Sequence, residues 1–173
     1  KEILPFSSIG SPVKLMTISL NPKIIIIVFE NKIKLIYKQK VSERNETAAL
    51  MKSTSIINIE DDEQPSFELL LEMKLDIEPI CLDISPYGNI YIISYGEYSY
   101  IYGILNKEIK EYVKINSLCK AVAFSQTGRY IAISRSQFIN SNYSIAVLDS
   151  STWELEYVIS NLGHYANKIR FCS

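Results

Sequence analysis

Short apolar runs recur along the chain, and most of them alternate with polar residues at every second position. The runs are separated by Gly, Pro, Asn and Ser, a pattern typical of β-strands joined by turns. No window has the periodicity of a long amphipathic helix. The pattern predicts an all-β chain with strands near residues 13–19, 23–29, 32–37, 67–74, 79–85, 89–95, 98–104, 108–115, 119–125, 129–135, 143–149, 153–159 and 167–172.

One element of the sequence repeats as an apolar strand that ends in Ser and is followed by a turn. Clear copies lie at 84–89 and 124–129, a degenerate copy lies at 18–23, and a fourth begins at 171–173. The Gly of the clear copies supplies the positive φ that a tight hairpin turn requires. The chain is therefore built from repeated hairpins.

A second element closes each unit, beginning at Glu68, Glu108 and Glu154, which are 40 and 46 residues apart. Two more strands lie between the two elements, so each unit has four strands. Four strands in about 40–45 residues is typical of a β-propeller blade. The sequence predicts a partial β-propeller over residues 1–173, with four-stranded antiparallel blades, about three blades and one further strand.

Three blades in a row expose two apolar faces, and propellers need about four to eight blades to close. We therefore expect the remaining blades to come from the same chain or from another one. Residues 38–66 carry two acidic clusters and few large apolar side chains, and they predict a flexible loop inserted into the first blade. A short helix near 45–52 is expected within it, and loops of this length are commonly functional or disordered.

The charge and the cysteines narrow the classes of function. A net charge of −1 argues against nucleic acid as a partner, since such binding depends on a basic surface. No apolar run is long enough to span a membrane. The three cysteines are widely spaced, which favours reduced thiols and a cytoplasmic location over a disulfide framework. Cys81 and Cys119 lie in apolar strands and are expected in the core.

The sequence offers little for catalysis. His164 is the single histidine, and the cysteines and histidine lack metal-binding spacing. The acidic run at 60–63 lacks the pattern of a calcium loop, and no phosphate-binding or nucleophile-elbow motif occurs. We expect no enzyme activity, no metal and no cofactor. His164 is expected to orient a turn through a hydrogen bond.

Two groups of side chains are candidates for binding. Lys168 and Arg170 alternate with apolar residues and are expected on one strand face, next to His164, where they form either a solvated face or a small basic site. Tyr98, Tyr100 and Tyr102 also share a strand face. Tyrosines of this kind serve equally well as anchors in a protein interface and as packing between blades.

The repeats resemble WD-repeat propeller blades. Residues 144–149 stand where that family has a third strand ending in Trp-Asp, and the pair Gly163–His164 precedes the next first strand as the family's Gly-His does. The Trp itself is absent. The resemblance implies a propeller that binds other proteins.

A more specific resemblance is to the PROPPINs, the phosphoinositide-binding propellers of autophagy. It lies in the short hairpin at 24–37 and in the following strands at 69–86. The family's Phe-Arg-Arg-Gly signature is not matched, because residues 160–163 read Ser-Asn-Leu-Gly at its place. Two arginines would hold phosphates bidentately.

The expected function is therefore that of a non-catalytic scaffold for protein–protein interactions, with Gly163, His164, Lys168 and Arg170 as a binding site. The alternative, implied by the resemblance to PROPPINs, is a phosphoinositide-binding effector in autophagy or vesicle trafficking. That alternative would place the protein at the cytoplasmic surface of a membrane.

Overall fold

The structure, a computed structural model, describes residues 11–20, 23–30, 33–39, 67–105, 108–137 and 142–172. Every regular element in these ranges is a β-strand, which confirms the all-β prediction. The strands are β1 (Val13–Ile18), β2 (Ile24–Phe29), β3 (Ile33–Gln39), β4 (Phe67–Lys74), β5 (Cys81–Ile84), β6 (Ile90–Ser94), β7 (Ser99–Leu105), β8 (Glu108–Ile115), β9 (Val122–Phe124), β10 (Tyr130–Gln137), β11 (Asn142–Asp149) and β12 (Leu155–Leu162).

The strands form three four-stranded sheets, and in each sheet the spatial order follows the chain order. All neighbouring strands are antiparallel. We call β1–β4 blade 1, β5–β8 blade 2 and β9–β12 blade 3. The prediction of three four-stranded antiparallel blades is confirmed.

The first strands of the three blades are neighbours, since β5 contacts β1 on one side and β9 on the other. The blades therefore diverge from a common inner edge formed by β1, β5 and β9, and the fourth strands lie outermost. Because each sheet is antiparallel and ordered as the chain, the turns between first and second strands lie at the same end as those between third and fourth strands. We call this end the turn face.

Two apolar clusters hold the blades together. The alternation in β6 sends Tyr91 and Ile93 into a cluster shared with blade 1 and sends Ile92 into a cluster shared with blade 3. All three side chains are fully buried. A strand packed on both faces reads as a continuous apolar run, which explains why this part of the sequence does not alternate.

The Ser-containing turns share one set of hydrogen bonds. The hydroxyl of Ser19, Ser85 or Ser125 accepts a hydrogen bond from the backbone N–H of the first residue of the next strand. In blades 2 and 3 the turn glycine has a positive φ of 67° or 70°, and its N–H donates to the carbonyl of that serine. The repeated sequence element is therefore a repeated turn, as predicted.

The predicted strand at 167–172 is not formed, and this prediction was wrong. In the three described blades the first strand pairs only with the second strand of the same blade, and no described strand pairs with residues 167–172. β9 is also shorter than predicted, because Ala121 donates its N–H to the Ser134 hydroxyl and Cys119 donates its N–H to the Gly96 carbonyl.

The predicted insertion at 38–66 and its short helix lie almost entirely outside the described residues. Its first two positions, Lys38 and Gln39, belong to β3 and pair with β4. In the described part of the chain, no helix has the length and hydrophobicity needed to cross a membrane.

Candidate functional site

The basic residues predicted as a binding site lie on the segment that follows β12. His164, Lys168 and Arg170 are exposed, as is Gly163, and no other atom approaches the Cβ position of that glycine within 4 Å. The hydrogen bond expected of the His164 side chain is not formed with any described residue. Exposure still alternates along the segment, with Ile169 half-buried between the two cations.

This segment borders a cavity of about 610 Å³ at the inner edge of the blades. The cavity is lined by parts of β1, β5 and β9 and by residues 167–171, so Lys168 and Arg170 share it with Lys120. The structure thus brings two of the predicted residues together with a third cation that sequence reasoning did not select.

Asp83 connects the three inner strands. Its carboxylate accepts a hydrogen bond from the Thr17 hydroxyl of blade 1 at 3.2 Å and another from the Phe124 N–H of blade 3 at 2.7 Å. Burial raises the pKa of this carboxyl, although the hydrogen bond from Phe124 opposes that shift. Because all its described partners are structural, Asp83 acts as a link between blades.

The predicted row of tyrosines lies on the side of blade 2 that faces blade 1. Tyr100 and Tyr102 pack against the cluster between these blades, and the Tyr102 ring stacks on Tyr91 at 5.1 Å. The Lys114 ammonium lies over Tyr98 and Tyr100, 4.8 and 5.6 Å from their ring centroids. Burial raises the pKa of Tyr102 to about 12, with a further contribution from Glu111.

Sequence reasoning missed a buried lysine. Lys34 of β3 is only 2% exposed and lies between blades 1 and 2. Its ammonium donates to the Tyr91 hydroxyl at 2.8 Å and lies about 5 Å from the rings of Tyr91 and Tyr102. Burial lowers the pKa of Lys34 to about 8. The sequence contained one sign of this burial. Lys34 lies two residues before the buried Ile36, so both side chains lie on the inward face of β3.

Cys81 and Cys119 meet across blades 2 and 3. The Cys119 thiol donates to the Ala121 carbonyl at 3.5 Å. The proximity of the two thiols raises the pKa of Cys81 and lowers that of Cys119. Cys119 is fully buried, whereas Cys172 is exposed. The expectation that Cys81 and Cys119 pack within apolar surroundings agrees with their place in the second cluster. Among the residues described, no group of three or more metal-ligating side chains converges.

A second concave site lies on the turn face between blades 2 and 3. It has a volume of about 430 Å³ and is lined by the turns at 85–90, 127–129 and 149–151. We call it the turn-face groove. Tyr87 forms one wall. Its ring lies 3.3 Å from the point that a Cβ on Gly128 would occupy, yet 61% of the tyrosine remains exposed. The positive φ of Gly128 favours glycine, and the Tyr87 ring would have to shift slightly to admit a Cβ there.

One ion pair fixes the far wall of the turn-face groove. Asp149 accepts hydrogen bonds from the N–H and hydroxyl of Ser151, at 2.8 and 2.5 Å, and from the Arg129 Nε at 3.3 Å. These bonds, those from Ser151 first, lower the pKa of Asp149 to about 2. The carboxylate is thus ionised at neutral pH, and its charge is offset by the guanidinium that it holds.

The rest of the groove is built from polar groups already held by their neighbours. The Ser150 hydroxyl donates to the Gly128 carbonyl at 2.7 Å, and the Ser85 hydroxyl donates to the Asn89 side-chain oxygen at 2.8 Å. The sequence placed Arg129 at the end of a repeated turn element, at 124–129, but did not associate it with Tyr87 or Asn89. Only the contact between neighbouring turns brings these three together.

No protein-family model and no curated protein matches the sequence. Among solved structures, the chain is similar to the β-propeller domain of Cps50 (Swd1) from Myceliophteria thermophila, with 11% identity and a TM-score of 0.56. That match covers 91% of this chain and 46% of the other. The C-terminal WD40 domain of Sif2 matches at 9% identity and a TM-score of 0.49, over 88% of this chain and 38% of the other.

The chain therefore spans less than half the length of each of these two solved chains. At this level of identity, the similarity to the Cps50 domain concerns the fold alone. The described residues form three blades of a partial β-propeller.

Proposed function

We propose that this chain is a non-catalytic scaffold that binds a segment of another protein in the turn-face groove. The observation that carries the proposal is the exposed Tyr87 ring on the wall of a concave site between two blades. Aromatic side chains that are held in place but left exposed are effective anchors in protein interfaces.

The groove is suited to binding because its walls are already ordered. The turn hydrogen bonds fix the backbone around Ser85 and Ser125, and the contact with Gly128 fixes the Tyr87 ring. A preordered site loses little conformational entropy when a partner binds. Its serine hydroxyls are already hydrogen-bonded to a carbonyl, an amide oxygen or a carboxylate, so they add to this order.

The chain's remaining properties are consistent with a part of a larger propeller. β12 carries large apolar side chains that are more than half exposed, including Tyr157 and Ile159. These two lie on the face directed away from blade 2, where a further blade would pack in a closed ring. We propose that the ring is completed by blades from the same or another polypeptide, in the cytoplasm, where free thiols stay reduced.

The test is a selection of random peptides displayed on phage against the immobilised chain. Peptides that bind in the turn-face groove should lose binding to Tyr87→Ala but not to Tyr157→Ala. The two tyrosines are matched, with exposed fractions of 61% and 62%, but only Tyr87 borders the groove. Selected peptides that bind both variants as well as the parent would contradict the proposal, and so would a selection that yields no binders.

A second candidate function is binding of phosphoinositides, and one observation favours it. Lys120, Lys168 and Arg170 are all exposed and border one cavity, so they can present three positive charges to an anionic headgroup. Residues 160–163, which stand at the place of the PROPPIN signature without matching it, contribute no arginine to this group. This activity would place the protein at the cytoplasmic surface of a membrane.

Flotation with liposomes separates this candidate from the first. Phosphoinositide-containing liposomes should retain the chain, and Lys168→Glu with Arg170→Glu should release it, while phosphatidylcholine liposomes retain neither. Retention that survives the double substitution, or no retention of the parent chain, would exclude this site as a lipid site. Peptide binding at the turn-face groove is unaffected in either case.

A further inference from the structure

The same position of each blade turn carries a side chain with hydrogen-bond donors. Lys23, Asn89 and Arg129 each directly precede the second strand of their blade. The three are equivalent because the next residue in each case donates its N–H to the turn serine. All three side chains are exposed. The turn face therefore presents two cations and one amide in a repeated arrangement across the blades.

The turns that carry these donors are in direct contact. The Leu20 N–H donates to the Pro86 carbonyl at 3.0 Å, which joins the turns of blades 1 and 2. The Ser19 hydroxyl would lie 2.9 Å from a Cβ at Gly88, and the Tyr87 ring packs in the same way on Gly128. The donors thus lie on one continuous surface, interrupted by two exposed side chains, Leu20 and Tyr87.

Two of these donor groups remain available. The described hydrogen bonds of the Arg129 side chain involve Nε alone, which leaves its two Nη groups for a ligand. Asn89 uses its Oδ1 as an acceptor for Ser85, which orients its amide group but leaves the NH₂ without a described partner. A guanidinium fork and an amide N–H are complementary to a carboxylate.

The charges of Arg129 and Asp149 offset each other, so the unused hydrogen-bond donors of the groove decide which partner it favours. Asp149 is the one acid among the lining residues, and its oxygens already accept bonds from Ser151 and Arg129. The groove therefore holds no free carboxylate to pair with an incoming cation. Its unused polar groups are donors, and donors of this kind bind acceptors of opposite charge.

We propose that the turn-face groove binds an acidic peptide segment, in which an Asp or Glu carboxylate contacts Arg129 and Asn89 and a neighbouring apolar side chain packs on Tyr87. This inference rests on the proposed function, because it specifies the partner of the same groove. An extended segment could continue across blade 2 toward Lys23, since the turns of neighbouring blades are in contact.

The test uses the peptides selected on phage that lose binding to Tyr87→Ala. Their Asp and Glu content should be at least about twice that of the starting library. Synthetic copies should bind Arg129→Gln about tenfold more weakly or worse, since a charge-assisted hydrogen bond is lost. Arg129→Lys should bind with intermediate affinity, because it keeps the charge but not the fork. Lys110→Gln, an exposed cation on β8, should bind as the parent does.

Asn89→Asp is a second variant that keeps the oxygen used by Ser85 while placing a negative charge in the groove. It should weaken the acidic peptides and leave the circular dichroism spectrum unchanged. Peptides that depend on Tyr87 but show no acidic enrichment, or bind Arg129→Gln normally, would overturn this inference and leave the proposed function standing. Binding of anionic liposomes that depends on Arg129 would also overturn it. No Tyr87-dependent peptide at all would instead contradict the proposed function.

Discussion

The buried lysine between blades 1 and 2 makes a quantitative prediction about stability. Lys34 is 2% exposed, and its pKa falls from 10.5 to about 8 because the folded chain removes water from the ammonium. Its partners are the Tyr91 hydroxyl and the faces of two tyrosine rings. Replacing it with Met keeps a long apolar side chain and removes the charge.

The magnitude follows from the shift in pKa. At neutral pH the lysine is charged in both the folded and the unfolded chain, and burial of this charge destabilises the folded state. A lowered pKa of this size corresponds to roughly 3 kcal/mol of lost stability. As the pH rises above about 8, the folded state releases its proton before the unfolded state does, so stability increases with pH. About 2 kcal/mol of the loss should be recovered by pH 9.5.

Urea unfolding of the parent and of Lys34→Met, at pH 7 and pH 9.5, measures this effect. The single tryptophan, Trp153, and far-UV circular dichroism provide two probes. The stability difference between the two proteins should shift by about 2 kcal/mol in favour of the parent at the higher pH. Losses that do not depend on pH, such as the unpaired Tyr91 hydroxyl, cancel in this comparison.

The choice of pH avoids a second effect of opposite sign. Burial raises the pKa of Tyr91, Tyr95 and Tyr102, so stability falls above about pH 10, where these tyrosines ionise only in the unfolded chain. Lys110→Met, an exposed substitution on β8, should give the same stability difference at both pH values. An equally constant difference for Lys34→Met would refute the assignment of a desolvated ammonium.

Three further outcomes are expected. In urea unfolding, Gly128→Ala should lose roughly 1–2 kcal/mol of stability, because alanine is strained at a positive φ. Gly163→Ala should lose little, because nothing lies within 4 Å of the added Cβ. Equal losses would contradict the turn geometry. Because the pKa of Asp149 is about 2, its contribution to stability is present above about pH 4 and declines as the pH falls toward 2. The melting temperature of Asp149→Asn should therefore fall less steeply than that of the parent as the pH decreases toward 2. An equally steep fall would argue against the ion pair. Finally, brief alkylation of the native chain should label the exposed Cys172 first, with the buried Cys119 reacting only after unfolding. Labelling of Cys119 as fast as Cys172 would show that the blades open.

Much of the fold could be predicted from the sequence because a blade is assembled from strands that are adjacent in the chain. The recurring Ser and Gly of the turns marked the start of each unit, and the leading glutamates gave its length. Alternation then assigned most side chains to a face. The predicted strand at 167–172 does not form for the same physical reason, since a strand exists only where a neighbouring strand supplies its hydrogen bonds.

The candidate sites were less predictable, because they depend on contacts between blades. Lys34 has its partner Tyr91 57 residues away, and Asp83 has partners 66 and 41 residues away. Nothing local to these residues distinguishes them from exposed charges of a strand. The row of tyrosines was correctly placed on one face, but only the position of blade 1 shows that Tyr100 and Tyr102 pack in a core.

The sequence by itself determined the strands, the turns and the number of blades, since hydrophobic alternation and turn chemistry act over a few residues. The tertiary structure alone decided which side of each blade is buried against which neighbour. It brought Tyr87, Asn89 and Arg129 together at the turn-face groove, because neighbouring turns pack glycine against side chain. It also buried Lys34, where the packing of two blades outweighs the cost of removing one charge from water.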